Sequence, residues 1–140
     1  MREVVDDAGG EDDSRYARAC RTVLAPHPRS ANLARNFVDR CCLDAGVGEG
    51  PREVAVLLTS EAVTNAVIHA RSETRLAVLF GVDSLRVEVG DDEGSPLEVT
   101  ERGAEESRGR GLAIMELLAD GWGIRTDLAG KIVWFRVRTG

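Results

Sequence analysis

Glu61-Ala62-Val63-Thr64-Asn65-Ala66-Val67-Ile68-His69 decides how the rest of this chain is read. The stretch sits in a run from Pro51 to Ala70 whose pattern predicts one helix. On a helix, Glu61, Asn65 and His69 are four residues apart and stack on one face. That face is otherwise apolar, with Val54, Leu57, Leu58 and Ile68. Val56, Val63 and Val67 lie on the opposite side, so the helix is expected to be buried nearly all round. A carboxylate and an amide in such a stripe are costly unless partnered. A ligand carrying a cation and phosphates supplies such partners.

At 140 residues the chain fits one domain with a real core. Only 4% of it is aromatic, so Val, Leu, Ile and Ala must do the packing. The net charge of −6 argues against nucleic-acid binding, which wants a basic surface. All but one of the 18 basic residues are Arg, a residue suited to carboxylate and phosphate contacts. Cys20, Cys41 and Cys42 are odd in number and form no CxxC pattern, which speaks against a disulfide framework or a zinc site. They are expected to be small buried apolar residues. No apolar run approaches a membrane span, and the N-terminus lacks the apolar region of a signal peptide, so a cytoplasmic protein is expected.

Residues 1–18 are expected to be an acidic, disordered tail, and residues 19–140 the folded domain. A short first strand is expected from Cys20 to Ala25, ended by Pro26-His27-Pro28. Ser30 is the expected N-cap of a helix to about Asp44, with Leu33, Phe37, Val38 and Cys41 inward. Gly46 to Pro51 reads as a turn. Thr74–Gly81 and Leu85–Val89 alternate as strands around the turn Val82-Asp83-Ser84. Asp91–Arg108 is polar and reads as a long loop, of which Asp92–Arg108 is expected to be a mobile lid. Gly109–Asp120 reads as a helix with Leu112, Met115, Leu118 and Ala119 on its apolar face. Strands are expected over about Gly123–Thr126 and Ile132–Val137. Helices on one side of a mostly antiparallel sheet are the predicted layering.

Three pieces can meet around one ligand: Glu61 and Asn65, then Asp91 at a strand end, then Ser107-Arg108-Gly109-Arg110-Gly111-Leu112 at a helix start. Backbone amides at a helix N-terminus bind phosphate, and glycine lets the backbone come close. An Asn oxygen suits Mg²⁺, a carboxylate accepts from an adenine amino group, and a nearby Glu can orient or deprotonate a nucleophile. Taken singly the pieces have plainer readings. Gly109-x-Gly111 serves equally as loop punctuation, and Asp91-Asp92-Glu93-Gly94 as a hairpin turn. His69 fits a helix-end histidine bonded to backbone. Gly130-Lys131 lacks the spacing and the Ser/Thr of a Walker A loop.

In this order the pieces resemble the GHKL (Bergerat-fold) histidine-kinase-like ATPase family, in particular its anti-sigma factor serine/threonine kinase branch. The resemblance rests on Glu61–His69, on Gly109-Arg-Gly-Leu-Ala-Ile-Met-Glu-Leu-Leu-Ala-Asp-Gly-Trp122-Gly, on Gly130-Lys-Ile-Val-Trp134-Phe, and on Ala31–Val38 as first helix. It covers about residues 19–138. It implies an α/β (α+β) two-layer sandwich, with helices packed on one face of a mixed, mostly antiparallel sheet. It implies ATP and Mg²⁺ as ligands. By the same resemblance the catalytic Glu is Glu61, the metal-holding Asn is Asn65, the adenine-binding Asp is Asp91, and the phosphate loop is Gly109, Arg110, Gly111 and Leu112.

Two departures stand out. The family's Asp-x-Gly-x-Gly box reads Asp91-Asp92-Glu93-Gly94-Ser95-Pro96, with no glycine at either family position. Its Gly-Thr-x-Val reads Gly130-Lys131-Ile132-Val133. The resemblance implies phosphorylation of Ser or Thr on an anti-sigma-factor antagonist and sequestration of a sigma factor, with no nucleic-acid or membrane partner. It also implies a possible homodimer, with Cys20–Phe37 as a candidate surface. The rival reading is a non-catalytic module that sequesters a partner and has a degenerate nucleotide pocket.

Overall fold

The computed structural model describes residues 16–69, 73–91, 113–127 and 130–140, except the side chains of 68, 69 and 127. Strand β1 (Tyr16–Leu24) is followed by helices α1 (Ser30–Asp44) and α2 (Glu49–His69). The hairpin of β2 (Thr74–Gly81) and β3 (Ser84–Asp91) comes next, and β4 (Gly121–Asp127) and β5 (Gly130–Arg138) close the chain. Residues 113–118 are also helical. The strands form one sheet in the order β1-β2-β3-β5-β4, and every described pairing is antiparallel. Helices over one face of this sheet give the expected two-layer architecture.

Alternation builds the core. Leu76, Val78 and Phe80 of β2, Leu85, Val87 and Val89 of β3, and Val133, Phe135 and Val137 of β5 all point to the helix side. From α1, Ala34, Val38, Cys41 and Cys42 meet them. From α2 come Ala55, Leu58, Ala62, Val63 and Ala66, recurring at helical spacing. So α2 is not buried all round. Leu57 is 41% exposed and Thr64 is exposed, because the sheet and α1 cover only part of the helix circumference. Glu61 and Asn65 sit at the margin of the buried face, each partly exposed.

Ser30 corrects another expectation. It is the first helical residue rather than the N-cap, which is Arg29, and no side chain caps this end. The Ser30 hydroxyl instead donates to the Ala25 carbonyl at 2.7 Å, tying the helix start back to the end of β1. Leu33, expected inward, is 51% exposed because it lies about a quarter turn off the Ala34–Val38–Cys41 stripe. At the other end, Gly46 takes φ +79. The Val47 amide donates to Cys42 O and the Gly46 amide to Leu43 O, the paired bonds of a Schellman stop. Leu118, expected on an inner face, is 44% exposed, whereas Met115 is buried.

The strands run longer than their sequence patterns. β1 begins at Tyr16, so residues 16–18 of the expected tail are strand, while 1–15 lie outside the described residues. The polar loop from 92 and the glycine stretch through 112 also lie outside them. Cys41 and Cys42 are buried as expected, and burial pushes the Cys41 thiol up to about 12, helped by its hydrogen bond with Cys20. Burial, with the neighbouring Asp39 charge, pushes Cys42 up to about 11. No described helix is long and apolar enough to cross a membrane.

Candidate functional site

The site begins with β3. Its inward alternation passes through Val87 and Val89 and ends on Asp91, which is still in the strand. The same alternation that buries the valines therefore buries a carboxylate: Asp91 is only 4% exposed. β5 runs beside it, with Val133 opposite Val89 and Lys131 opposite Asp91. Directly opposed residues project to the same face, so the carboxylate and the ammonium are neighbours there.

α2 crosses above. Ala62 and Ala66 present minimal side chains to the sheet, and Asn65 stands between them in sequence. Together with Met115 these groups line a narrow cleft open to solvent. Its walls are apolar (Val89, Val133, Met115 and the two alanines), and its polar groups are Asn65, Asp91 and Lys131. Apolar walls with a few convergent polar groups are the usual make-up of a small-molecule site. A flat heteroaromatic ring suits such walls, and a buried carboxylate at the end of the cleft can accept from its exocyclic amine.

Two of the residues expected at the site, Asn65 and Asp91, are thus brought into one cleft although 26 positions apart in sequence. Glu61 is not in its wall. It lies one helical turn before Asn65, partly exposed toward the rim. Gly109, Arg110, Gly111 and Leu112 lie outside the described residues, although Met115, three residues on from Leu112, is in the cleft. Among the described residues, no group of three or more His, Cys, Asp or Glu is arranged to hold a metal ion. The Asn65 side-chain oxygen lines the cleft and is a suitable ligand for a hard cation such as Mg²⁺, which takes its other oxygens from phosphate and water. Lys131 falls within the Gly130–Phe135 stretch that carries the resemblance but is not among the expected site residues. Cross-strand register reveals it as part of the cleft, and no sequence spacing carries that information.

The family model of the histidine kinase-like ATPase domain matches residues 24–137. The chain belongs to this family. An ATPase domain implies ATP as its ligand, and the matched span runs from the end of β1 through nearly all of β5. Among solved structures, the domain is similar to the RsbU and RsbW domains of Rv1364c from Mycobacterium tuberculosis, with a TM-score of 0.68 and 20% identity. The match covers 87% of this chain and 32% of that one, so this domain spans about a third of its neighbour's length. At that identity the likeness is one of fold. No curated protein matches the chain.

Proposed function

We propose that this domain binds MgATP in the α2–β3–β5 cleft and transfers a phosphoryl group to Ser or Thr of an anti-sigma-factor antagonist, while its other state sequesters a sigma factor. The observation that carries the reading is Asp91, a nearly fully buried carboxylate facing the cleft that Asn65 also lines. A carboxylate has several lone pairs, so Asp91 can accept from an adenine amine in addition to its contacts within the protein. The fold neighbour that contains an RsbW domain supports the regulatory setting.

In this reading each residue has one task. Asp91 orients the base, Val89, Val133 and Met115 exclude water from its faces, and Asn65 holds the metal ion. Bound Mg²⁺ supplies neutralisation of phosphate charge. Gly109 to Leu112 offer backbone amides to the phosphates. Glu61, at the rim one turn from Asn65, accepts the proton of the incoming Ser or Thr hydroxyl as its oxygen bonds to phosphorus and ADP leaves. A rim position suits that task, because the acceptor hydroxyl arrives from outside on another protein.

The second reading is a binding module without phosphoryl transfer. It is favoured by the narrowness of the cleft and by Lys131 standing beside Asp91. Calorimetric titration with ATP, with and without Mg²⁺, separates the two at the first step. Mg²⁺-dependent binding supports the ATP reading, and no heat in either case favours the module. Mass spectrometry of the co-purified antagonist after incubation with MgATP then tests transfer.

A further inference from the structure

Two thiols meet where β1 runs under α1. Alternation along β1 sends Cys20, Thr22 and Leu24 toward the helices, opposite Val78, Leu76 and Thr74 of β2. Cys20 packs there against the core. Cys41 comes down from the inner stripe of α1, which it shares with Ala34 and Val38. The two side chains are hydrogen-bonded to each other. A separate contact fixes the same register. Arg18, two residues before Cys20, donates to the carbonyl of Asp44, three residues after Cys41, at 3.5 Å. Cys42 follows Cys41 on the helix, but successive helical residues point about 100° apart, so the two thiols of α1 do not share one direction.

The paired sulfurs differ in access. Cys20 is half-buried, on an edge strand whose one sheet neighbour is β2. Cys41 is 6% exposed, and burial holds its thiol protonated. Neither lines the nucleotide cleft. A single buried thiol is inert packing. Two thiols in contact, one of them open to solvent, can be joined. A disulfide brings its sulfurs to about 2 Å, closer than hydrogen-bond contact. An edge strand held by one neighbour can give the remaining distance.

We propose that Cys20 and Cys41 form a site of reversible oxidation, closed to a disulfide by hydrogen peroxide and reopened by a dithiol reductant. The Cys20 sulfur attacks the peroxide: an S–O bond forms, the O–O bond breaks, water leaves, and Cys20 becomes a sulfenic acid. The Cys41 sulfur then attacks the Cys20 sulfur. The S–S bond forms, the S–O bond breaks, and hydroxide leaves with the Cys41 proton as a second water. The two thiols give up two protons and two electrons, and the peroxide is reduced to two waters. Cys20 reacts first because solvent reaches it. Cys41, already in contact, resolves the sulfenic acid before a second peroxide can take it further. The bridge ties the edge strand to the C-terminal half of α1. It lies away from β3 and β5, whose helix side walls the cleft, so the proposal is independent of the nucleotide reading.

The test uses the full chain, reduced, freed of reductant and treated with hydrogen peroxide. Thiols left free are alkylated in denaturant, then counted by intact mass and located in tryptic peptides. The expected result is loss of two of the three alkylatable thiols, with full recovery in dithiothreitol. The peptide Ala19–Arg21 should be linked to the peptide that begins at Cys41. Cys42→Ala should keep that link. Cys20→Ser should abolish it and leave Cys41 alkylatable. Circular dichroism confirms that both variants remain folded. Hydrogen exchange of β1 should slow several-fold in the oxidised chain. Three free thiols after peroxide would overturn the proposal. So would sulfinic acid on Cys20 with Cys41 untouched, a link that Cys42→Ala removes, or a link between two chains on a non-reducing gel.

Discussion

Asp91, the last residue of β3, stands directly across the sheet from Lys131 near the start of β5. The only lysine of the chain is thus placed beside a carboxylate that is 4% exposed. Both line the cleft with Asn65. The nucleotide reading makes Asp91 an acceptor for the base, and Lys131 a partly exposed positive charge on the same face of the sheet. Each of these roles is separately measurable.

Asp91→Asn replaces an acceptor-only group by one that presents donors. Loss of a charged hydrogen bond costs ~1.5–3 kcal/mol, so ATP affinity should fall roughly tenfold or more. Isothermal titration of the variant checks it. If Asp92→Asn produces the loss and Asp91→Asn does not, the adenine contact belongs to the neighbouring residue and the structural placement of Asp91 has another purpose.

Asn65→Ala should remove the Mg²⁺ dependence of binding while the fold stays intact, because Asn65 is at the margin of the core and its neighbours Ala62 and Ala66 do the packing. The expected weakening for MgATP is roughly tenfold, equivalent to ~1.4 kcal/mol. Titrations with and without the metal show it. An unchanged MgATP affinity removes Asn65 as the ligand.

Glu61→Ala should keep ATP binding and lose transfer, since Glu61 lies outside the cleft wall. A general base contributes about 10²–10⁴-fold, so phosphorylation of the true acceptor should fall by that factor with little change in nucleotide affinity. A parallel loss of ATP affinity would instead place Glu61 in ligand binding.

The buried thiols make a pH prediction. Cys41 and Cys42 have their pKa values raised, from an ordinary value of 9.0 to about 12 and about 11. Above pH 9 the unfolded chain ionises these thiols while the folded one keeps them protonated, so the folded state binds more protons and stability falls as pH rises. The stabilisation is fully present below pH 9 and is lost toward pH 11–12. Denaturation midpoints across this range should decline, and Cys42→Ala should flatten the decline. An alkaline limb identical in both chains would contradict the assignment.

Gly123 is the test of packing on the sheet face away from the helices. A Cβ there would come 2.8 Å from Trp134 Nε1 and 3.1 Å from Cε2. Gly123→Ala should force the indole to shift, and overpacking of this kind costs ~1–3 kcal/mol. Thermal melting and the Trp134 emission maximum should both move.

Much was legible in the order of residues alone. The periods of 3.6 and 2 located both helices, the β2–β3 hairpin and the last two strands, because alternation is a local consequence of where one face must be apolar. The spacing of Glu61 and Asn65 on α2, and the family motifs around them, named the class of domain. Tertiary structure decided what no local pattern encodes. It set which part of α2 is covered, leaving Leu57 exposed and Glu61 at a rim, because coverage depends on the neighbours a helix meets. It turned Ser30 from a cap into a tether on Ala25. It put Lys131 opposite Asp91, since strand register is a property of two distant segments and belongs to neither. It also buried Arg86 and Trp134 on the face away from the helices, where an alternating strand pattern by itself predicts only a polar surface.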